Sequence, residues 1–108
     1  MDDKLLHMTG QYILDENSNP VEEPNYYIWS DWWTFERQRW HLETTVGTRY
    51  ISTVFLGLDH SHNGGRPVLF ETMEFGTDDQ DCERTCTWAE AQKMHEEFVS
   101  RAKREIGE

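Results

Sequence analysis

From Tyr26 onward the hydrophobic positions fall into five blocks of two kinds. In the first, residues 26–38, Ile28, Trp29, Trp32, Trp33 and Phe35 recur near the helical period. That spacing predicts a helix whose Trp29, Trp32, Trp33 and Glu36 share one face. Three blocks with strand character follow. Residues 40–46 and 49–58 flank Gly47-Thr48, which reads as a tight turn. The second of these is rich in β-branched and aromatic residues. A Gly-rich hairpin loop, Asp59–Arg66, then leads into residues 67–75. Three strands joined in sequence make an antiparallel meander. The fifth block, about 88–104, returns to the helical period, with Trp88, Ala91, His95, Phe98 and Ala102 on one stripe and Met94 and Val99 beside it. Thr87-Trp88-Ala89-Glu90 before it fits a capping box.

Upstream of residue 26 the pattern is weaker. Gln11–Leu14 is a short strand candidate, Asn17-Ser18-Asn19-Pro20 turns the chain, and Val21 opens a return strand. Asn25 stands where it can cap the first helix. Residues 1–9 read as a loose lead-in, and 76–83 as an exposed polar loop. The expected fold class is α+β: a three-stranded antiparallel meander plus an N-terminal strand or hairpin, packed with two helices. All 108 residues are expected to form a single domain, since a second core would be too small to hold itself together.

Composition adds that this core is aromatic and its surface acidic. Five tryptophans help a short chain bury enough area. With 21 acidic residues against 10 basic ones, the net charge is −11. Phosphate recognition needs a basic surface, so direct nucleic-acid binding is not expected. Acidity serves solubility, and it also attracts a basic partner surface. No stretch has the length and apolarity of a membrane span, and the N-terminus lacks the pattern of a secretion signal. Two cysteines are too few for a disulfide framework. A reducing, cytoplasmic setting is the simplest expectation.

Residues 51–77, ISTVFLGLDHSHNGGRPVLFETMEFGT, are the distinctive part of the chain. They resemble a family of small uncharacterised bacteriophage and prophage proteins, whose members carry a segment like STVFLGLDH, a Gly-rich loop, then P-x-LFETMxFG. The resemblance extends to LDENSNPVEEPN, to SDWWTFE and to TWAEAQKMHEEFV, and spans roughly residues 10–100. It implies a phage origin, hence the cytoplasm of an infected bacterial cell, and a small α+β domain. It implies no particular activity.

Four groups of residues can carry chemistry. Asp59 and His60 sit at the hairpin mouth, with Glu71 on the next strand. A histidine beside two carboxylates suits acid–base work, and the same groups suit loop bonding and ion pairing. Alternation puts Glu71 and Glu74 on opposite faces of their strand, so an acid turned inward needs a partner such as His60 or Arg49. The second group is His60, His62, Cys82 and Cys86. These are zinc-ligand types, but their spacing does not match compact zinc motifs, so neither a metal nor a cofactor is expected. The third is the aromatic set Tyr26, Tyr27, Trp29, Trp32, Trp33 and Trp40. It exceeds what one helix face can hide and offers a surface for self-association or a partner. The fourth is acidity: residues 71–84 hold six acids, among them Asp78, Asp79 and Asp81, against Arg84. Such a stretch is either a solvated loop or a mimic of nucleic-acid charge that fills a basic groove.

The expected function is therefore binding without catalysis, by a phage accessory protein acting on a host or defence protein. The acidic loop residues Asp78, Asp79 and Asp81 and the hairpin loop from Asp59 and His60 to Arg66 form the expected contact surface. An alternative is capture of a small anionic, nucleotide-like ligand by the Asp59–Arg66 loop with Glu71. A third is a small hydrolase using His60.

Overall fold

A computed structural model describes residues 9–61 and 64–107. Strands β1 (Tyr12–Leu14) and β2 (Pro20–Glu22) form a hairpin. Helix α1 (Tyr26–Glu36) follows and tightens into a 3-10 turn over Arg37–Trp40. Then β3 (Leu42–Val46), β4 (Arg49–Phe55), β5 (Phe70–Phe75) and β6 (Cys82–Thr85) build one antiparallel sheet in chain order. Helix α2 (Trp88–Ile106) closes the fold and contacts all four strands. The architecture is α+β with antiparallel sheets, as the hydrophobic pattern predicts. No helix among the described residues is long and apolar enough to cross a membrane. Residues 1–8 of the expected lead-in, and His62, lie outside the described residues.

Differences from the sequence expectation sit at element ends. Trp40 closes the 3-10 turn rather than opening a strand. Its buried indole Nε1 donates to Ser18 Oγ at 2.9 Å, tying the turn after α1 to the first hairpin. The second strand of the meander ends at Phe55, short of Leu58, because Gly57 takes φ +73°. A side chain at Gly57 would also strike the Trp33 ring at 2.5 Å, so glycine is needed there twice over. Past this bend the chain receives the N-terminal hairpin: Tyr12 N donates to Gly57 O, and Asp59 N to Gly10 O, each at 2.8 Å. The end of the expected acidic loop is a fourth strand, β6, paired with β5 from Phe70↔Thr85 to Met73↔Cys82. Its sequence, CERT, lacks apolar alternation because it is an edge strand, and charge there discourages further pairing.

The face of the sheet under α2 is layered. At one end Phe55 and Phe70 meet Leu14, Trp40, Leu69 and Ala91, with Trp32, Trp33 and Trp88 around them. At the other, Val46 and Ile51 meet Phe98 and Ala102. Between these clusters runs a polar rung. Thr53 Oγ1 lies 2.7 Å from Thr72 Oγ1 and 2.8 Å from His95 Nδ1, while His95 Nε2 lies 2.8 Å from Thr44 Oγ1. Thr53, Thr72 and His95 are buried. A neutral imidazole needs one donor and one acceptor, and hydroxyls serve as either, so the rung satisfies itself without charge.

Both helices are capped as the sequence predicts. Asn25 Oδ1 accepts from the amides of Tyr27 and Ile28. Thr87 Oγ1 accepts from Glu90 N at 3.1 Å, and Glu90 Oε1 accepts from Thr87 N at 3.1 Å. Removing this cap by Thr87→Ala should lower unfolding free energy by about 1 kcal/mol. A shifted denaturant midpoint at unchanged slope is the expected reading; an unmoved midpoint would show that the cap contributes nothing.

The rung also makes stability depend on pH. Burial pushes His95 below its ordinary value of 6.5. As pH falls, the unfolded chain therefore takes up this proton before the folded one does. The contribution of neutral His95 is complete above about pH 6.5 and is lost below it, as pH falls toward the lowered folded value. Melting temperature should fall between pH 6.5 and 5.5 in the wild type. His95→Gln should start lower and show a flatter profile over that window; equal slopes in the two proteins would remove His95 as the cause.

Candidate functional site

The hairpin-loop residues are placed as structural elements. Asp59 Oδ1 accepts from Ser61 N at 2.8 Å and Val68 N at 2.9 Å, closing the mouth of the loop. Burial lifts the Asp59 carboxyl, but these two amides outweigh it and hold the group below its usual value. His60 N donates to Val68 O at 2.9 Å. Arg66 pairs with Glu90 at 3.2 Å, across to the cap of α2. Glu71 pairs with Arg84 at 3.0 Å on the sheet face away from α2. No hydrogen bond among the described residues joins Glu71 to the Asp59–Arg66 loop. Among the described residues these side chains engage separate partners rather than one another.

The other acid of β5 is the one that α2 covers. Glu74 is 2% exposed. Its Oε1 accepts from Arg101 Nη2 at 3.3 Å, and its Oε2 lies 3.6 Å from Arg49 Nη1 with no hydrogen-bond donor of its own. Arg49, one of the two partners expected from the sequence beside His60, also binds Glu105 near the end of α2. That hydrogen bond and the arginine's charge hold Glu105 below the ordinary carboxylate range. Arg101 reaches Asp81 at 2.8 Å. Above this buried rung stands the acidic loop. Glu74 N donates to Asp81 O at 3.0 Å, and Gly76, at φ +96°, lies so close to Thr48 O that a side chain would meet it at 2.2 Å. The loop thus leans back over the β3–β4 turn and encloses a cleft of about 350 Å³.

Five carboxylates face this cleft, those of Glu74, Asp78, Asp79, Asp81 and Glu105, against the guanidinium groups of Arg49 and Arg101. The local charge is −3. Asp78 and Asp79 are exposed, and their carboxylates make no hydrogen bond or ion pair among the described residues. Of these residues the sequence picked out Asp78, Asp79 and Asp81 as a contact surface, and Glu74 with Arg49 as an inward acid and a partner for it. It missed Arg101 and Glu105, although both follow Phe98 at helical spacing on the side of α2 that meets the sheet.

Cys82 is a free thiol on β6 and Cys86 a free thiol just before α2. Burial and the nearby Glu71 push the Cys82 thiol above its usual range. Among the described residues no three His, Cys, Asp or Glu side chains converge to hold a metal ion. The tryptophans of α1 turn inward: Trp29 stacks on Trp33 at 5.4 Å, and Trp32 lies 5.5 Å from both Trp40 and Phe55. The helix exposes Tyr26, Tyr27, Ile28 and Phe35 instead, the last at 77%. Any self-association through α1 would therefore use this second stripe.

No family model matches the chain, and no curated protein or solved structure matches it.

The buried rung can be tested by a pair of changes. Arg101→Ala leaves Glu74 short of its hydrogen-bond donor and should destabilise the protein by about 3 kcal/mol, the low end for breaking a buried pair. Adding Glu74→Gln removes the stranded charge and should recover part of the loss. If the double variant is no more stable than Arg101→Ala alone in chemical denaturation, Arg101 does not act through Glu74.

Proposed function

We propose that this protein works by binding, and that the cleft walled by Asp78, Asp79 and Glu105 receives a basic side chain from a partner protein. The observation that carries this reading is the five-to-two balance of carboxylates over arginines around one concave site. Arg49 and Arg101 fix Glu74, Asp81 and Glu105, whereas Asp78 and Asp79 remain open to a new cation. Glu74 Oε2 adds a buried acceptor at the base. A guanidinium or ammonium group suits such a site better than any anion does. The excess negative charge of the whole chain would speed the encounter. The resemblance of residues 51–77 to phage proteins supports a host or defence protein of an infected bacterial cell as the partner. The separate engagements of Asp59 with backbone amides, of Arg66 with Glu90 and of Glu71 with Arg84 give the alternative of a nucleotide pocket in that loop no comparable support.

Capture from a bacterial lysate with immobilised protein tests the proposal. Partners should be retained at low salt and released near 0.5 M, where the screening length falls to about 4 Å. They should be absent from an Asp78→Asn/Asp79→Asn variant, with the loss arising in association more than in dissociation. Equal retention by wild type and variant would place the binding surface elsewhere on the molecule.

A further inference from the structure

At the opposite end of β4 lies a second concavity of different chemistry. It measures about 400 Å³ and opens between the 3-10 turn after α1 and the last residues of β4. Trp33, Val54, Phe55 and Leu56 supply apolar wall; Arg37, Gln38 and His41 supply polar groups. This volume is at the small end of the range for organic-ligand pockets.

Two observations give the cleft a preference. First, Arg37 is uncommitted in a strongly acidic chain. Arg39, Arg49, Arg66, Arg84 and Arg101 each lie within 4.0 Å of a carboxylate, whereas Arg37 and Arg104 make no ion pair among the described residues, and of these two Arg37 lines this cleft. Its guanidinium instead lies over the Trp33 ring, 4.8 Å from the centroid. Stacking uses one face of the group and leaves its edge N–H donors for a ligand. Second, the polar groups beside it are already oriented. His41 Nδ1 is 3.4 Å from Gln38 Oε1, and its Nε2 is 3.2 Å from Glu43 and 3.4 Å from Ser52 Oγ. The Glu43 carboxylate therefore meets the His41 ring, and Glu36 is occupied by Arg39 at 3.4 Å. Arg37 is the arginine of the lining, and it pairs with no carboxylate among the described residues.

We propose that this cleft binds a small organic anion built on an aromatic ring. The ring lies against the apolar wall of Val54, Leu56 and the Trp33 edge, and the anionic group takes the edge donors of Arg37. Gln38 completes the polar side with its amide. The site is separate from the acidic cleft, and neither proposal depends on the other.

The probes are sodium benzoate and indole-3-acetate, with acetate as the anion without a ring and benzyl alcohol as the ring without an anion. Binding is followed by two-dimensional amide NMR of the full chain. Both aromatic anions should give saturable shifts centred on His41, Val54 and Leu56, and each control should bind at least tenfold more weakly. Arg37→Gln, a change at an exposed side chain, should weaken indole-3-acetate about tenfold and bring it near benzyl alcohol. Val54→Trp should fill the cleft and abolish the shifts. Melting temperatures of both variants verify that the fold persists; if Val54→Trp fails to fold, Arg37→Gln decides alone. The proposal is overturned if neither aromatic anion saturates at millimolar concentration. Acetate or benzyl alcohol binding as tightly as the aromatic anions, or undiminished affinity in Arg37→Gln, would overturn it equally.

Discussion

Helix α2 can dock on the sheet in only one register, and the rung of Thr44, Thr53, Thr72 and His95 is what imposes it. Apolar contacts alone tolerate sliding, because one methyl group replaces another at little cost. A hydrogen-bonded histidine does not. A shift of one helical turn would drive the ring into either apolar cluster and strand the hydroxyls beneath it. The rung is thus a specificity device set between two clusters that supply the driving force. The strands are held by the same logic, since a one-residue slip of β4 would turn Thr53 away from Thr72 and expose Ile51 and Phe55.

Beyond the second apolar cluster comes the charged rung of Arg49, Glu74 and Arg101. The succession from an aromatic-rich cluster to a polar rung, a second apolar cluster and an ionic rung explains how one short sheet supports two dissimilar concavities. Near Phe55 the chain bends at Gly57, and the aromatic end of α1 covers the turn. Near Glu74 the strands run on into a carboxylate-rich loop that Arg101 steadies through Asp81. Each cleft takes its chemistry from the layer it borders.

The elements that bury apolar surface could be read from the sequence. Alternation in residues 49–55 and 70–75 and the stripe from Trp88 to Ala102 mark strand and helix because burial itself writes those periods. The capping box was legible because its donors and acceptors lie within four residues. β6 was not, since an edge strand of Cys, Glu, Arg and Thr buries little and carries no apolar period. The acidic cleft was half legible. Asp78, Asp79 and Asp81 announce themselves by composition, but the pairing of Arg101 with Glu74 joins residues 27 positions apart and appears only when α2 is docked. Arg37 and His41 gave no sequence signal, because the cleft they line is created by the turn after α1 meeting the end of β4.

The parallel stacking of Trp29 on Trp33, with an interplanar angle of 17° and Gly57 beneath, has a spectroscopic consequence. Two indoles so close exchange excitation and absorb as a coupled pair, giving a circular dichroism band that neither ring has alone. Both rings stand one turn apart on α1, so the coupling lasts as long as that turn stays helical and vanishes when it unwinds. Trp88, on the other helix and remote in sequence, does not belong to that pair. The chain therefore carries its own optical gauge of the helical state of α1, readable apart from the loss of the sheet.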